Sequence, residues 1–439
     1  SGLFRKDDVI IIKISCQSDR RGGTNTDLLK SLIQKIVDHP DGFDGEIVVA
    51  DNGQGIGWLD WYETNSFDRR QSAQDVVDHF SSSYKVSTYL WDTIRKVVVS
   101  EYNSGDLNDG YVVDPEPDPA TSMRVSYPKF RTAFGTYISM RKGVWNVGAS
   151  TYHSAKLKVI NMQVLKSHEL YGVTGCIKNY MGVLSQFLSD GHHLIGKGAM
   201  GTEMAKTRFP TLNILDCIWV NANPIESGKS APPVGPVTPY EDASYTNVIA
   251  ASVDPVALDY LASKYVLMPA AFAKGYKEVS SLDPDNPNRV AGLWESFHNY
   301  LKRSMEQLKL AGFQTTMNES EMNMFVDEYI PKIHQGSLII TSDDVTTIEG
   351  RFDINGSIIV EENATLYLKN AVINFRQRAH GQHNMTLRNP LRGKPRLRVE
   401  NATIATSKYF LPVHFYYSSA SIAELNATNF VELRSHGSN

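Results

Sequence analysis

The chain is 439 residues long, more than one hydrophobic core usually organises, so two or three domains are expected. Hydrophobic residues at 41% and charged residues at 21% describe a packed chain and exclude a disordered one. A net charge of −4 supplies no global basic field, so nucleic acid is not an expected partner. No apolar run approaches the roughly 20 residues of a spanning helix, so no transmembrane segment is expected.

Cys16, Cys176 and Cys217 are too few for a disulfide framework, a paired-cysteine zinc site or a four-cysteine cluster, and their apolar neighbours suit buried thiols. Ser1 in place of an initiator methionine leaves two readings open, a removed leader or a start inside a longer precursor.

Taken in chain order, residues 9–14 are a nearly unbroken β-branched run, as in a strand covered on both faces. Thr24, Asn25 and Thr26 then offer N-caps for a helix with Leu28, Leu29, Leu32, Ile33, Ile36 and Val37 at helical spacing, and residues 45–50 supply the next strand. This βαβ unit predicts a parallel sheet with crossover helices. Residues 72–80 and 87–102 read as helices, 105–120 as an acidic surface loop, 127–145 as strands with a turn near Gly135, and 157–165 as a buried strand. Strands are expected at 213–220 and 246–252. Asp254 followed by Pro255 marks a helix start, and helices are expected at 293–310 and 320–329.

After Gln335 helical periodicity gives way to short alternating runs, with Asn-Ala-Thr recurring at Asn363, Asn401 and Asn426. A strand-and-turn phrase repeated every few tens of residues points to a parallel β-helix, an antiparallel sandwich being the alternative. The predicted fold is therefore an α/β domain over residues 1–333, with a mostly parallel sheet, followed by an all-β, solenoid-like tail over residues 334–439. Residues 376–398 form a basic insertion. Glycosylation sequons cluster in the tail, and Asn363, Asn401 and Asn426 are the glycosylation candidates, although Asn and Thr also suit solenoid turns.

Ligands of open parallel sheets bind beyond the carboxyl ends of the strands. Polar residues gather there after the first strand (Lys13, Gln17, and the glycine loop before Asn25) and after the second (Asp51, Gly53 and Gly55). A turn holding Lys178 and Asn179 between glycines suits a phosphate or carboxylate. His192 and His193, beside Gly196, Gly198 and Gly201, could move protons near neutral pH. Those glycines satisfy GxGxxG, but no clear strand precedes them, which argues against nicotinamide binding.

VIIIKIS with Lys13, TNTDLLKSLI with Asn25, VVADNG with Asp51, TGCIKNYMG with Lys178 and Asn179, ILDCI with Asp216, Gly235 with Pro236, and ASVDPVALDYLA together resemble the domain of unknown function 362 family over residues 8–275. The resemblance implies an α/β domain, often found beside ferredoxin-like modules, with no generally established reaction. It nominates Lys13, Asn25, Asp51, Lys178, Asn179, Asp216, Asp254 and Asp259. The chain departs in having IKIS where IKPN is usual and in lacking a cysteine-rich motif, which puts intrinsic electron transfer in doubt.

The expected function is binding of a small anionic molecule through Lys13, Asn25, Gly53, Gly55, Lys178, Asn179 and Asp216. Asp51, His192 and His193 are the acid/base candidates if the protein is an enzyme. No metal site is expected, and no cofactor is specified. The alternative is a surface or filament-forming protein that self-associates through its β-rich tail. The sequons favour an extracellular or cell-surface location, with a cytoplasmic one left open.

Overall fold

The structure is a computed structural model that describes residues 2–226, 237–326, 333–377, 381–389, 393–400, 402–406, 413–418, 422–426, 429–430 and 433–438. The chain divides into two compact units, Ser1–Asn323 and Met324–Asn439.

In the first unit β1 (Val9–Lys13), α1 (Thr26–Val37), β2 (Glu46–Asp51), α2 (Ala73–Ser81) and β3 (Val86–Leu90) come first. A five-stranded antiparallel sheet follows, from β4 (Gly110–Val113) through β5 (Ser126–Arg131), β6 (Tyr137–Ser139) and β7 (Gly143–Asn146) to β8 (Thr151–His153). The chain continues through β9 (Leu157–His168), β10 (Gly172–Thr174), α3 (Ala199–Lys206), β11 (Leu212–Asn221), β12 (Ser244–Ser252), α4 (Pro255–Ala262), α5 (Met268–Ala273) and α6 (Phe297–Leu310). The main sheet has the order β12-β11-β9-β1-β2-β3, with β10 attached to β9. Four of its pairings, β11-β9, β9-β1, β1-β2 and β2-β3, are parallel. β12 and β10 run antiparallel to their neighbours.

Both faces of this sheet are covered, which is why β1 carries an almost uninterrupted apolar run. Ile10 and Ile12 pack with Leu29 and Ile33 of α1 and Val76 and Phe80 of α2. Val9 and Ile11 belong to the opposite core, which contains Val159, Tyr180 and Tyr300. Each fully buried aliphatic side chain contributes about 1.5–3 kcal/mol. Helix starts follow the capping residues: Asn25 accepts from the Asp27 and Leu28 N–H groups, Ser72 and Asp75 form a reciprocal capping box, and Asp254 accepts from Val256 and Ala257 ahead of Pro255.

Two expected helices differ. Residues 87–102 contain most of β3 and a short helical turn, because Val86, Ser87, Thr88, Tyr89 and Leu90 pair with β2 and complete the parallel sheet. Residues 320–326 begin in the Glu319–Glu321 turn and do not continue as a helix, while 327–329 lie outside the described residues.

In the second unit the chain alternates between two parallel sheets. One pairs Ile333–Gln335, Val345–Asn355, Thr365–Phe375, Arg396–Glu400 and Ile422–Asn426 in succession. The other pairs Leu338–Ile340, Ile358–Glu361, Asn384–Arg388, Val413–Ser418 and Leu433–Ser438. Ile354, Ile358, Leu366, Leu368, Phe375, Met385 and Leu397 share one core, so alternate residues face inward from both sheets. The basic segment 376–398 contributes the Asn384–Arg388 strand and so is partly built into a sheet.

Candidate functional site

β1 is where the main sheet changes direction. The crossover through α1 carries the chain to β2 and β3 on one side, whereas β9 and β11 lie on the other. Connections that leave two adjacent parallel strands in opposite directions open a crevice at their carboxyl ends. Here the crevice lies beyond β1 and β9 and is lined by Lys13, Asp51, Gln163, Lys166, His168, Thr174 and Lys178, among others. It encloses about 350 Å³ including its open mouth.

Lys13 sits at the end of β1, level with Asn161 of β9. Ile160 and Met162 pack under α1 and α2, so Asn161 and Gln163 face the other side by strand alternation. Lys13 Nζ is 2.8 Å from Asp51 Oδ1 and donates to Asn179 Oδ1 at 2.6 Å and to the Ile14 carbonyl at 2.8 Å. Three acceptors account for the three ammonium protons. Asn179 is fixed in turn, its Nδ2 donating to Asn161 Oδ1 at 2.8 Å, and Asn161 donates to the Cys176 carbonyl at 2.9 Å and Asn213 Oδ1 at 3.0 Å. Asp51 Oδ2 accepts from the Cys16 N–H at 2.8 Å. Gly182 closes this corner: a Cβ there would lie 2.0 Å from Asp51 Oδ1 and 2.3 Å from Lys13 Nζ.

Lys166 and Lys178 add two further amines. Lys166 Nζ donates to the Gly22 carbonyl at 2.5 Å. Lys178 is 5% exposed and, among the described residues, makes no hydrogen bond and no ion pair. Burial lowers the pKa of each to about 7; on Lys166 repulsion from Lys178 adds to the effect and the attraction of Asp51 opposes it, and on Lys178 the attraction of Glu169 opposes it and repulsion from Lys13 adds to it. Burial also lowers Lys13, outweighing the attraction of Asp51. His168 Nδ1 accepts from the Leu170 N–H at 3.1 Å, so the neutral ring keeps its proton on Nε2. Burial, reinforced by Lys178, holds His168 well below the usual histidine range.

The turn bearing Lys178 is anchored from α4. Asp259 accepts from the Cys176 N–H at 2.6 Å and the Ile177 N–H at 2.9 Å, and Gly175 makes room for it. Asp216, buried in β11, accepts from the Asn25 N–H at 3.0 Å, Asn65 Nδ2 at 3.1 Å and the Ile218 N–H at 3.0 Å. Burial raises both carboxyls to about 7 against these donors.

Residues 137–264 match the family model for a domain of unknown function, DUF362. The matched segment contains Lys166, Lys178, Asn179, Asp216, Asp254 and Asp259, so it supplies the β9 wall, the lysine turn and both anchoring carboxylates. It is narrower than the resemblance over residues 8–275, and β1 and β2, which carry Lys13 and Asp51, lie outside it. No curated protein and no solved structure matches the chain.

Of the residues singled out in the sequence, Lys13, Asp51, Lys178 and Asn179 meet in the crevice. Asn25 and Asp216 position the 22–26 loop without lining it. Gly53 and Gly55, at φ 51° and 83°, shape the loop that carries Gln54 to the crevice, and the Gly55 N–H is taken by Asp92. His192 lies one layer out, its ring centroid 5.9 Å from that of His168, and burial lowers its pKa to about 4. His193 is exposed and stacks on Trp294 at 4.7 Å. Gly198 and Gly201 pack against Arg303 and Ser304, so these glycines let α3 approach α6. Gly235, Pro236 and Asn401 lie outside the described residues. Asn363 Oδ1 accepts from the Lys394 N–H, as a turn residue would.

Lys166, His168 and Gln163 escaped sequence reasoning. Asn161 and Gln163 alternating with Ile160 and Met162 was the available signal of a polar face on a buried strand, and carrying β9 three residues further would have reached His168. Among the described residues, no group of three His, Cys, Asp or Glu side chains is placed to hold a metal ion.

Proposed function

We propose that the crevice beyond β1 and β9 binds a small oxyanion, a carboxylate or a phosphate, at Lys178, within the positive field of Lys13 and Lys166. The observation that carries this reading is Lys178, 5% exposed and, among the described residues, without a hydrogen bond or ion pair, in a crevice lined also by Lys13, Lys166 and Asp51. An uncompensated buried charge is costly, and an anion both pairs with it and completes its hydrogen bonds. Asp51 neutralises Lys13, and Lys178 is left to the ligand. Thermal unfolding with inorganic phosphate or pyruvate at pH 7 tests this. Either anion should raise the midpoint of the wild type, with the shift lost in Lys178→Met; equal shifts in both proteins would refute the assignment.

For the tail, the alternation between two parallel sheets around one core supports a β-solenoid, and the sequons support display outside the cell. A structural reading, self-association through the tail, draws on one observation: among the described residues no strand covers the outer edges of Ile333–Gln335 and Leu338–Ile340, and open strand edges invite pairing with another chain. Sedimentation over a wide concentration range tests it, a strictly monomeric species arguing against assembly.

A further inference from the structure

We infer that Gln54 is a gate over the crevice: its side chain closes the way to Lys178 and swings outward to let a ligand in. This deepens the anion-site reading, on which it rests for the nature of that ligand. Of the twelve described residues that line the crevice, ten are buried, and only Gln17 and Gln54 reach the surface. These two therefore form its mouth. They are joined across it, Gln17 Nε2 donating to Gln54 Oε1 at 3.0 Å, and the same oxygen accepts from Gln186 Nε2 at 2.5 Å. Lys178 is 5% exposed, and a phosphate or carboxylate is wider than a water molecule, so its entry requires a wall to move. The buried walls are tied into the sheet, whereas among the described residues the Gln54 side chain is held by the other two glutamines alone.

The backbone beneath that side chain is fixed. The Gln54 N–H donates to Asn52 Oδ1 at 3.0 Å, the Gly55 N–H to Asp92 Oδ2 at 3.0 Å, and the Gly57 N–H to the Gly53 carbonyl at 2.9 Å. Gly53, Gln54 and Gly55 are all left-handed, at φ 51°, 53° and 83°. Glycine adopts this conformation freely, but a glutamine holds it only where its surroundings impose it. Opening is thus the rotation of one side chain on a fixed loop, and hydrogen bonds at the surface exchange for bonds to water at small net cost. Room for the rotated side chain lies next to the mouth. Gln54 also lines an outer cleft, with Asn52, Asp92, Arg95, Gln186 and Phe187, which encloses about 490 Å³ including its open side.

Acetylation of the full chain by acetic anhydride at pH 8, followed by peptide mapping, tests the gate. Gln54→Gly removes the side chain and keeps the left-handed backbone. Gln186→Ala removes one latch from outside the crevice, so it acts on Lys178 only through Gln54. Lys178 should react about tenfold faster in Gln54→Gly than in the wild type, the factor expected of a gate open about a tenth of the time. A smaller acceleration is expected in Gln186→Ala, with no change at Lys129, which is buried in the antiparallel sheet. Equal Lys178 rates in the three proteins, none reacting included, overturn the gate, and so does acceleration of Lys178 and Lys129 alike, which reports a loosened fold. Phosphate added in parallel separates the two readings, since it should slow the reaction of Lys178 in the wild type and in Gln54→Gly. Acceleration in the variants without protection by phosphate leaves the gate standing and refutes the anion site; protection without acceleration refutes the gate alone.

Discussion

Lys13 and Asp51 show how one buried ion pair organises the site. Removing one partner of a buried pair leaves the other charged and unsatisfied, at a cost of about 3–5 kcal/mol. Asp51→Asn should therefore lower unfolding free energy by that order in chemical denaturation, and a change within error would deny the pair its structural role. The lysines also set a pH dependence. Lys166 and Lys178 fall from the ordinary 10.5 to about 7, so between those values the unfolded chain holds protons that the folded one has released. Stability is then greatest above the ordinary lysine pKa and is lost as pH falls towards about 7. A bound anion favours the charged amines, so phosphate binding near pH 7 to 8 should take up protons. Calorimetry in buffers of different ionisation enthalpy reads that uptake, and zero or negative uptake contradicts the assignment. Lys13, Asp51, Lys178 and Asn179 were legible in the sequence because strand ends and glycine-flanked turns mark them. Lys166 and His168 were not, because alternation shows that a strand exists but not where it stops.

At the scale of elements, capping chemistry was the most legible layer. Asn25, Ser72 and Asp254 start α1, α2 and α4 as their side chains predict. Asp254 also accepts from the Thr316 N–H at 2.9 Å through its second oxygen, tying α4 to the segment after α6. Asp254→Ala should cost about 1–2 kcal/mol, near the upper end for a lost cap, and Asp254→Asn should recover part of it. Since α4 presents Asp259 to the lysine turn, anion affinity should fall in the alanine variant as well. Spacing failed for residues 87–102, where pairing of Val86–Leu90 with β2 overrides a helical pattern. The GxGxxG spacing had a packing origin, since Gly201 lies where a Cβ would meet the Ser304 carbonyl at 2.3 Å.

Over the whole molecule, length predicted two or three domains, and the chain forms two compact units. The change from helical to alternating periodicity near Gln335 reflects a physical change, from a sheet covered by helices to paired sheets that share one core. What no local pattern could convey was long-range convergence: Lys13 and Lys178 meet only because the strand order places β9 beside β1. The central claim is that this convergence makes an anion site. Isothermal titration of inorganic phosphate at pH 6.5 into the wild type, Lys178→Met and His193→Ala tests it most directly. Saturable one-to-one binding in the wild type and His193→Ala, lost in Lys178→Met, is the predicted result; no binding to the wild type, or unchanged binding to Lys178→Met, would contradict it.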